Sequence, residues 1–260
     1  MFILSFDCGI TNFAYSVIEF LSNKKNLVFN NKEIILKFFD NNNYKIIDIN
    51  NINLYKINNN NNKDSEFVNE ESAPIPTHLN SAGGQPNVKH TSSSCDTSFD
   101  LSNNKKSKKK SNFPNLHKSV ISLLYNLINN KNIIEKITTD DKNCDIKILI
   151  EYQMNINYKA NIIYNIIISF FETYFKINNF NNFEIITINP SYKIKIAQNI
   201  DNDNKIRIKY INQYTYNKKL VEIYFLNINK KYKFIDLTKF KKYDDIADSF
   251  IQILSYIYYY

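Results

Sequence analysis

Two short apolar runs, each closed by a carboxylate, constrain this chain more than any other feature. Phe2-Ile3-Leu4-Ser5-Phe6 stops at Asp7, and Ile146-Lys147-Ile148-Leu149-Ile150 stops at Glu151. Short runs of this kind read as strands. The second, nearly continuous from Cys144 to Glu151, reads as a central strand covered on both faces. A third acidic segment, Tyr243-Asp244-Asp245-Ile246-Ala247-Asp248, opens an apolar C-terminal helix. A carboxylate at the tip of a buried strand is costly to desolvate unless a cation or hydrogen bonds compensate it. Clustered acids also repel one another and raise each other's pKa unless a divalent metal neutralises them. The pattern points to a metal-dependent active site, and phosphodiester hydrolysis fits it best.

The 260 residues could form one large or two small domains, and at 43% hydrophobic they can bury a sizeable core. Turn residues show where that core is interrupted. Gly83, Gly84, Pro74, Pro76, Pro86 and Pro114 fall in one stretch, leaving only Gly9 and Pro190 elsewhere. From 58 to 112 the chain runs through Asn58–Asn62, Ser92–Ser94 and the basic Lys105–Lys110, with few apolar residues. Such a segment cannot bury enough surface to offset its ordering entropy, and it reads as a disordered insertion. Its lysine run could serve as a targeting signal or DNA tether, or be only a solvated loop. The expected organisation is one domain from 1–57 and 113–260, interrupted by that insertion.

Elsewhere the periodicity is clear. Phe2 to Asp7 alternates, with Ile3, Ser5 and Asp7 on one face. Phe13–Leu21, Glu33–Asp40 and Tyr44–Ile49 extend this to an antiparallel meander with Asn-rich turns. Leu116, Val120, Ile121, Leu123, Leu124, Leu127 and Ile128 form a helical stripe. Tyr158–Phe175 reads as a helix apolar nearly all round and therefore buried. Phe183–Ile188 reads as a strand ending at Asn189-Pro190, and Lys205–Leu226 and Asp244–Tyr258 as helices. The plan is a mixed α/β sheet, antiparallel in its opening half and parallel later, with Asp7 and Glu151 on neighbouring strand ends.

The net charge of +8 is concentrated. Residues 189–242 carry thirteen basic groups against four acidic ones, which leaves the rest of the chain slightly negative. A basic block beside an acidic site suits a polyanionic substrate, although a solvated lysine-rich surface from AT-rich coding would look similar. Cys8, Cys95 and Cys144 are odd in number and show no metal-ligand spacing, which suits a reducing, intracellular location. No apolar run reaches the roughly 20 residues needed to span a bilayer, and strand character from Phe2 onward predicts no leader peptide at this N-terminus.

Three motifs carry a family resemblance. Asp7-Cys8-Gly9-Ile10-Thr11-Asn12, after its strand, resembles the first motif of the RuvC-type Holliday junction resolvases, closest to the poxviral and fungal mitochondrial branch. Leu149-Ile150-Glu151-Tyr152-Gln153 is similar to the second motif, and Lys242–Phe250 to the last. The resemblance implies an RNase H-like fold, a homodimer, and paired symmetric nicks in four-way DNA junctions using Mg²⁺ or Mn²⁺. It implies Asp7, Glu151, Asp245 and Asp248 as the catalytic and metal-binding set. On a helix, positions i and i+3 share a face, so Asp245 and Asp248 can point together. Asp244 is one turn from Asp248 and periodicity does not exclude it; only the motif alignment demotes it.

Further expectations concern DNA. Lys193 and Lys195, past the fifth strand, are the expected close phosphate contacts, with Arg207 and Lys209 in the same basic block. The bacterial branch has an aromatic three residues after its glutamate, where this chain has Met154; Tyr152 or Tyr158 could stack in its place. That branch also carries a histidine where Tyr243 stands, and His78, His90 and His117 read as bystanders. Gly9 reads as the place where backbone approaches closely beside the site. The alternatives are an RNase H-like nuclease acting on other nucleic acid structures and a catalytically inactive junction-binding protein. The expected location is cytoplasmic, at a site of viral replication, with an organelle or the nucleus as alternatives.

Overall fold

The computed structural model describes residues 1–9, 11–21, 44–54, 113–129, 145–153, 157–200 and 212–260. The expected strand at 33–40 and the insertion at 58–112 lie outside them. The described elements are β1 (Phe2–Cys8), β2 (Phe13–Phe20), β3 (Tyr44–Ile52), α1 (Phe113–Asn129), β4 (Ile146–Glu151) and α2 (Tyr158–Ile177). β5 (Phe183–Ile188), α3 (Pro190–Ile200), α4 (Gln213–Tyr232) and α5 (Asp244–Tyr259) complete the order.

The strands form one sheet in the order β3-β2-β1-β4-β5. β1, β2 and β3 pair antiparallel, while β4 runs parallel to both β1 and β5. This is the mixed α/β sheet with an antiparallel opening meander and a parallel later half that the sequence predicts. Strand alternation divides the core in two. Phe2, Leu4, Phe6 and Cys8 pack with Ile146, Ile148 and Ile150 against α1 and α2. Ile3 and Leu149 point the other way, into a core built from α3, α4 and α5. Every residue of β4 from Ile148 to Ile150 is fully buried, which is why its sequence lacks a polar face.

Two expectations change here. The α2 segment is apolar nearly all round, yet it is buried only at Ala160, Ile163, Ile167, Phe171 and Phe175. One i, i+4 stripe suffices to seat it on the sheet, and its other faces receive only partial cover. Ile121 of α1, counted in that helix's stripe, is 47% exposed for the same reason. The second change is α3, which begins where Asn189-Pro190 is expected only to end β5. Pro190 instead occupies the first helical position, where a missing N–H costs nothing. The Asn189 side chain accepts from the Ser191 N–H at 2.9 Å, capping the new helix. The expected helix at 205–226 is found as Gln213–Tyr232, with its N-terminus capped by Asn212 accepting from Thr215 N; residues 205–211 lie outside the described set.

No described helix is long and apolar enough to cross a membrane.

Candidate active site

The parallel register places Phe6 beside Ile150, so the next residues, Asp7 and Glu151, end adjacent strands. Asp7 points away from the α1/α2 core because Phe6 and Cys8 fill it. That alternation turns its carboxyl toward the N-terminal turns of α5. Asp245 and Asp248 are buried there at 5% and 8% exposure. Four carboxylates from three distant segments thus share one electrostatic neighbourhood. The Asp7 carboxyl is pushed well above the usual range, first by burial and then by repulsion from Glu151 and Asp248. The buried Cys8 thiol is pushed up too, by burial and by Asp7 and Glu151. Asp245 is raised by burial and by Asp244, with Lys218 pulling the opposite way.

The charge is compensated in part by lysines. Lys193 Nζ lies 3.1 Å from Glu151 Oε2 and 3.1 Å from Asp248 Oδ1. Burial opposes the Lys193 ammonium, but Asp248, Glu151 and Asp7 outweigh it and hold its pKa above the ordinary lysine range. Lys218 of α4 also reaches the cluster, 3.6 Å from both Asp244 Oδ2 and Asp245 Oδ1. From the sheet, Asn51 donates to Asp245 Oδ2 at 3.5 Å. Asn51, Ala14 and Asp7 lie opposite one another across three strands, so one sheet row presents both groups to α5.

Asp7, Glu151, Asp245 and Asp248 are therefore brought together. Asp244 is turned toward Lys218 at the rim. Lys193, expected as a close phosphate contact, is enclosed at 4% exposure among the acids. The sequence held a signal for this. Lys193, Ile196 and Ala197 fall at i, i+3 and i+4, so the lysine sits on the buried stripe of α3. Missing the helix hid that stripe. Lys218 and Asn51 were not singled out by the sequence either, since neither belongs to a motif. Lys195 is exposed, with its ammonium 5.5 Å over the Tyr192 ring. Tyr152 is 51% exposed directly after Glu151, and Tyr158 is 69% exposed at the start of α2. Arg207, Lys209 and Met154 lie outside the described residues.

Gly9 follows β1 beside the cluster, and a Cβ there would collide with the Asn12 carbonyl oxygen. The backbone after Asp7 folds back too tightly for any side chain at that position.

In chemistry these donors suit a hard divalent cation: four carboxylates, two of them raised by enclosure and mutual repulsion that positive charge would relieve. In placement, no three described His, Cys, Asp or Glu side chains form a metal-holding group. The Lys193 ammonium stands between two of the donors. An ion at Asp7 would share Glu151 and Asp248 with that lysine.

No family model matches this chain, and neither does any curated protein. Among solved structures it is similar to the fowlpox virus resolvase in complex with substrate Holliday junction DNA, at 20% identity and a TM-score of 0.43, covering 99% of this chain and 97% of that one. A second structure, of the fowlpox virus Holliday junction resolvase, gives 18% and 0.40 with the same coverage. Thermus thermophilus RuvC gives 9% and 0.43, covering 100% of this chain and 95% of that one.

Proposed function

We propose that this chain is a metal-dependent, structure-selective DNA endonuclease that resolves Holliday junctions and related branched intermediates by paired symmetric nicks. The observation that carries the reading is the meeting of Asp7, Glu151, Asp245 and Asp248 at one end of the sheet, where Asp7 is raised by three of its neighbours. Acids at these positions cost the fold stability, and a divalent ion would give them a purpose.

In this reading the four carboxylates hold Mg²⁺ or Mn²⁺. When bound, the ion would activate water and stabilise the leaving 3′ oxygen of an in-line displacement. Lys193 keeps Glu151 and Asp248 turned inward and partly neutralised before substrate arrives. Lys218 and Asn51 each hold a different oxygen of Asp245. Exposed Lys195, with Arg207 and Lys209, supplies phosphate contacts, and Tyr152 or Tyr158 stacks on bases opened at the junction centre. A homodimer would set two sites for symmetric cuts. The half-covered apolar residues of α2, among them Ile162, Ile166 and Phe170, offer a face for it.

One observation favours a second reading, a junction-binding protein without nuclease activity. The Lys193 ammonium already occupies the space between Glu151 and Asp248, and the described acids do not form a metal-holding group.

The deciding experiment is cleavage of a labelled four-way junction with Mg²⁺, beside the same strands as linear duplex and an RNA–DNA hybrid. Paired nicks confined to the junction and abolished by EDTA support the proposal. Tight binding without cutting would establish the second reading instead. Preferential cutting of the hybrid would move the activity to a different nucleic acid substrate.

A further inference from the structure

Beneath the carboxylates, the layer between the sheet and α5 is more polar than packing requires. Ser5, Ser16, Ser249, Gln252 and Ser255 are all fully buried. Ser16 of β2 and Ser249 of α5 meet at 2.7 Å, Oγ to Oγ. The Ser249 hydroxyl also donates to the Ile246 carbonyl at 3.0 Å, so its single proton is used and Ser16 donates to it. Gln252 Nε2 reaches the Phe6 carbonyl at 3.5 Å, on the residue just before Asp7. Ser5 Oγ and Gln252 Oε1, in the same layer, are buried without a hydrogen-bond partner.

Resting on the nuclease reading, we propose that Ser16, Ser249 and Gln252 are positioning residues that fix the rotation of α5 and so set Asp245 and Asp248 against Asp7 and Glu151.

The physical case begins with burial. α5 is buried at every position from Asp245 to Ser255. A helix apolar on most sides can be packed in more than one rotation at similar cost, because apolar contact is non-directional. Hydrogen bonds are directional. Turning α5 by one residue, roughly 100°, would either bring Phe250 opposite Ser16 and strand its buried hydroxyl, or bring Asp248 there and draw it away from Lys193. A single polar contact in an apolar seam is a known way to fix register. Both links lie just C-terminal to Asp248, at i+1 and i+4, and their sheet partners lie in the strands that carry Asp7 and its neighbours. Ser255 differs, since its hydroxyl donates to Ile251 within α5 and links nothing to the sheet.

The test compares the double variant Ser16→Ala/Ser249→Ala with Ser255→Ala and the wild type. Removing both hydroxyls leaves no orphaned group, so thermal stability should stay close to wild type. Two quantities are read: cleavage of a four-way junction at saturating substrate, and the ¹⁵Nζ resonance of Lys193, which its buried ion pairs protect from solvent exchange. The double variant should lose about 100-fold in turnover, the scale expected of ångström-level misplacement. Its affinity for the junction should be unchanged and its Lys193 signal lost. Ser255→Ala should match the wild type in both. Cleavage within about threefold of wild type together with an intact Lys193 signal would overturn the proposal and leave the nuclease reading standing. If the wild type does not cut, the nuclease reading fails and the Lys193 signal alone decides whether these residues position α5. If the double variant does not fold, Gln252→Leu, which keeps both serines, is read by the same two criteria.

Discussion

Lys193 Nζ lies 3.1 Å from Asp248 Oδ1, with the two side chains only 6% and 11% exposed. The pair joins α3 to α5 and, through Glu151, joins both helices to β4. It is the point at which the acidic cluster is held together, and its loss has a defined cost.

Replacing Lys193 by Met should strongly destabilise the fold. Removing one partner of a buried ion pair costs roughly 3–5 kcal/mol because the other charges are left uncompensated. That corresponds to a fall in Tm on the order of 10 °C for a domain of this size. Mg²⁺ should then raise the Tm of Lys193→Met more than that of the wild type, since the ion would replace the missing charge. Thermal melts with and without Mg²⁺ measure both. A variant that melts with the wild type would show that the ammonium does not compensate the acids.

Asp7→Asn should abolish cleavage and raise stability near neutral pH. Asp7 is raised in the fold, so its ionised form costs stability above that raised pKa. The cost fades as pH falls toward the ordinary carboxylate value of about 4, where folded and unfolded forms both carry the proton. The advantage of Asp7→Asn, about 1 kcal/mol or roughly 2–4 °C in Tm, should therefore be present at pH 7 and vanish near pH 3. A variant less stable than wild type at pH 7 would contradict the burial and repulsion assigned to this group.

Glu151→Gln should cut cleavage by roughly 1000-fold or more, the scale of losing a main charge-stabilising group, while junction binding persists. Gel-shift and cleavage assays on the same preparation separate the two. Normal cleavage would remove Glu151 from the site.

Gly9→Ala should destabilise the fold by roughly 1–3 kcal/mol, the usual cost of overpacking, because the new Cβ meets backbone rather than a flexible side chain. Cleavage should fall with it, since the displaced turn begins two residues after Asp7. Chemical denaturation and the junction assay check the two effects, and an unchanged denaturation midpoint would refute the close approach.

Lys233→Gly should stabilise the protein without touching the site. Lys233 ends α4 in the left-handed region at φ 51°, which a side chain disfavours and glycine accepts. The gain expected is about 1 kcal/mol. A lower denaturation midpoint would mean that the Lys233 side chain contributes contacts worth more than the strain.

The local elements and their faces are written in short-range sequence pattern. Alternation in Phe2–Asp7 set which residues enter each core, and the unbroken apolar run before Glu151 announced a strand covered twice. Spacing in Asp244–Asp248 placed two acids on one helix face. These are local properties, encoded by periods of two and 3.6 residues. Long-range packing supplies what those periods cannot carry. Composition made α2 apolar all round, but only its neighbours chose the one stripe that is buried. Asn189-Pro190 permits either a stop or a helix start, and the packing of α3 against α5 selects the second. That choice carries Lys193 into the cluster, 42 positions from Glu151 and 55 from Asp248 in the numbering. Ser16 and Ser249, farther apart still, meet only because β2 lies beneath α5. Contacts of that range depend on strand order and helix crossing, for which a single sequence holds no local signal.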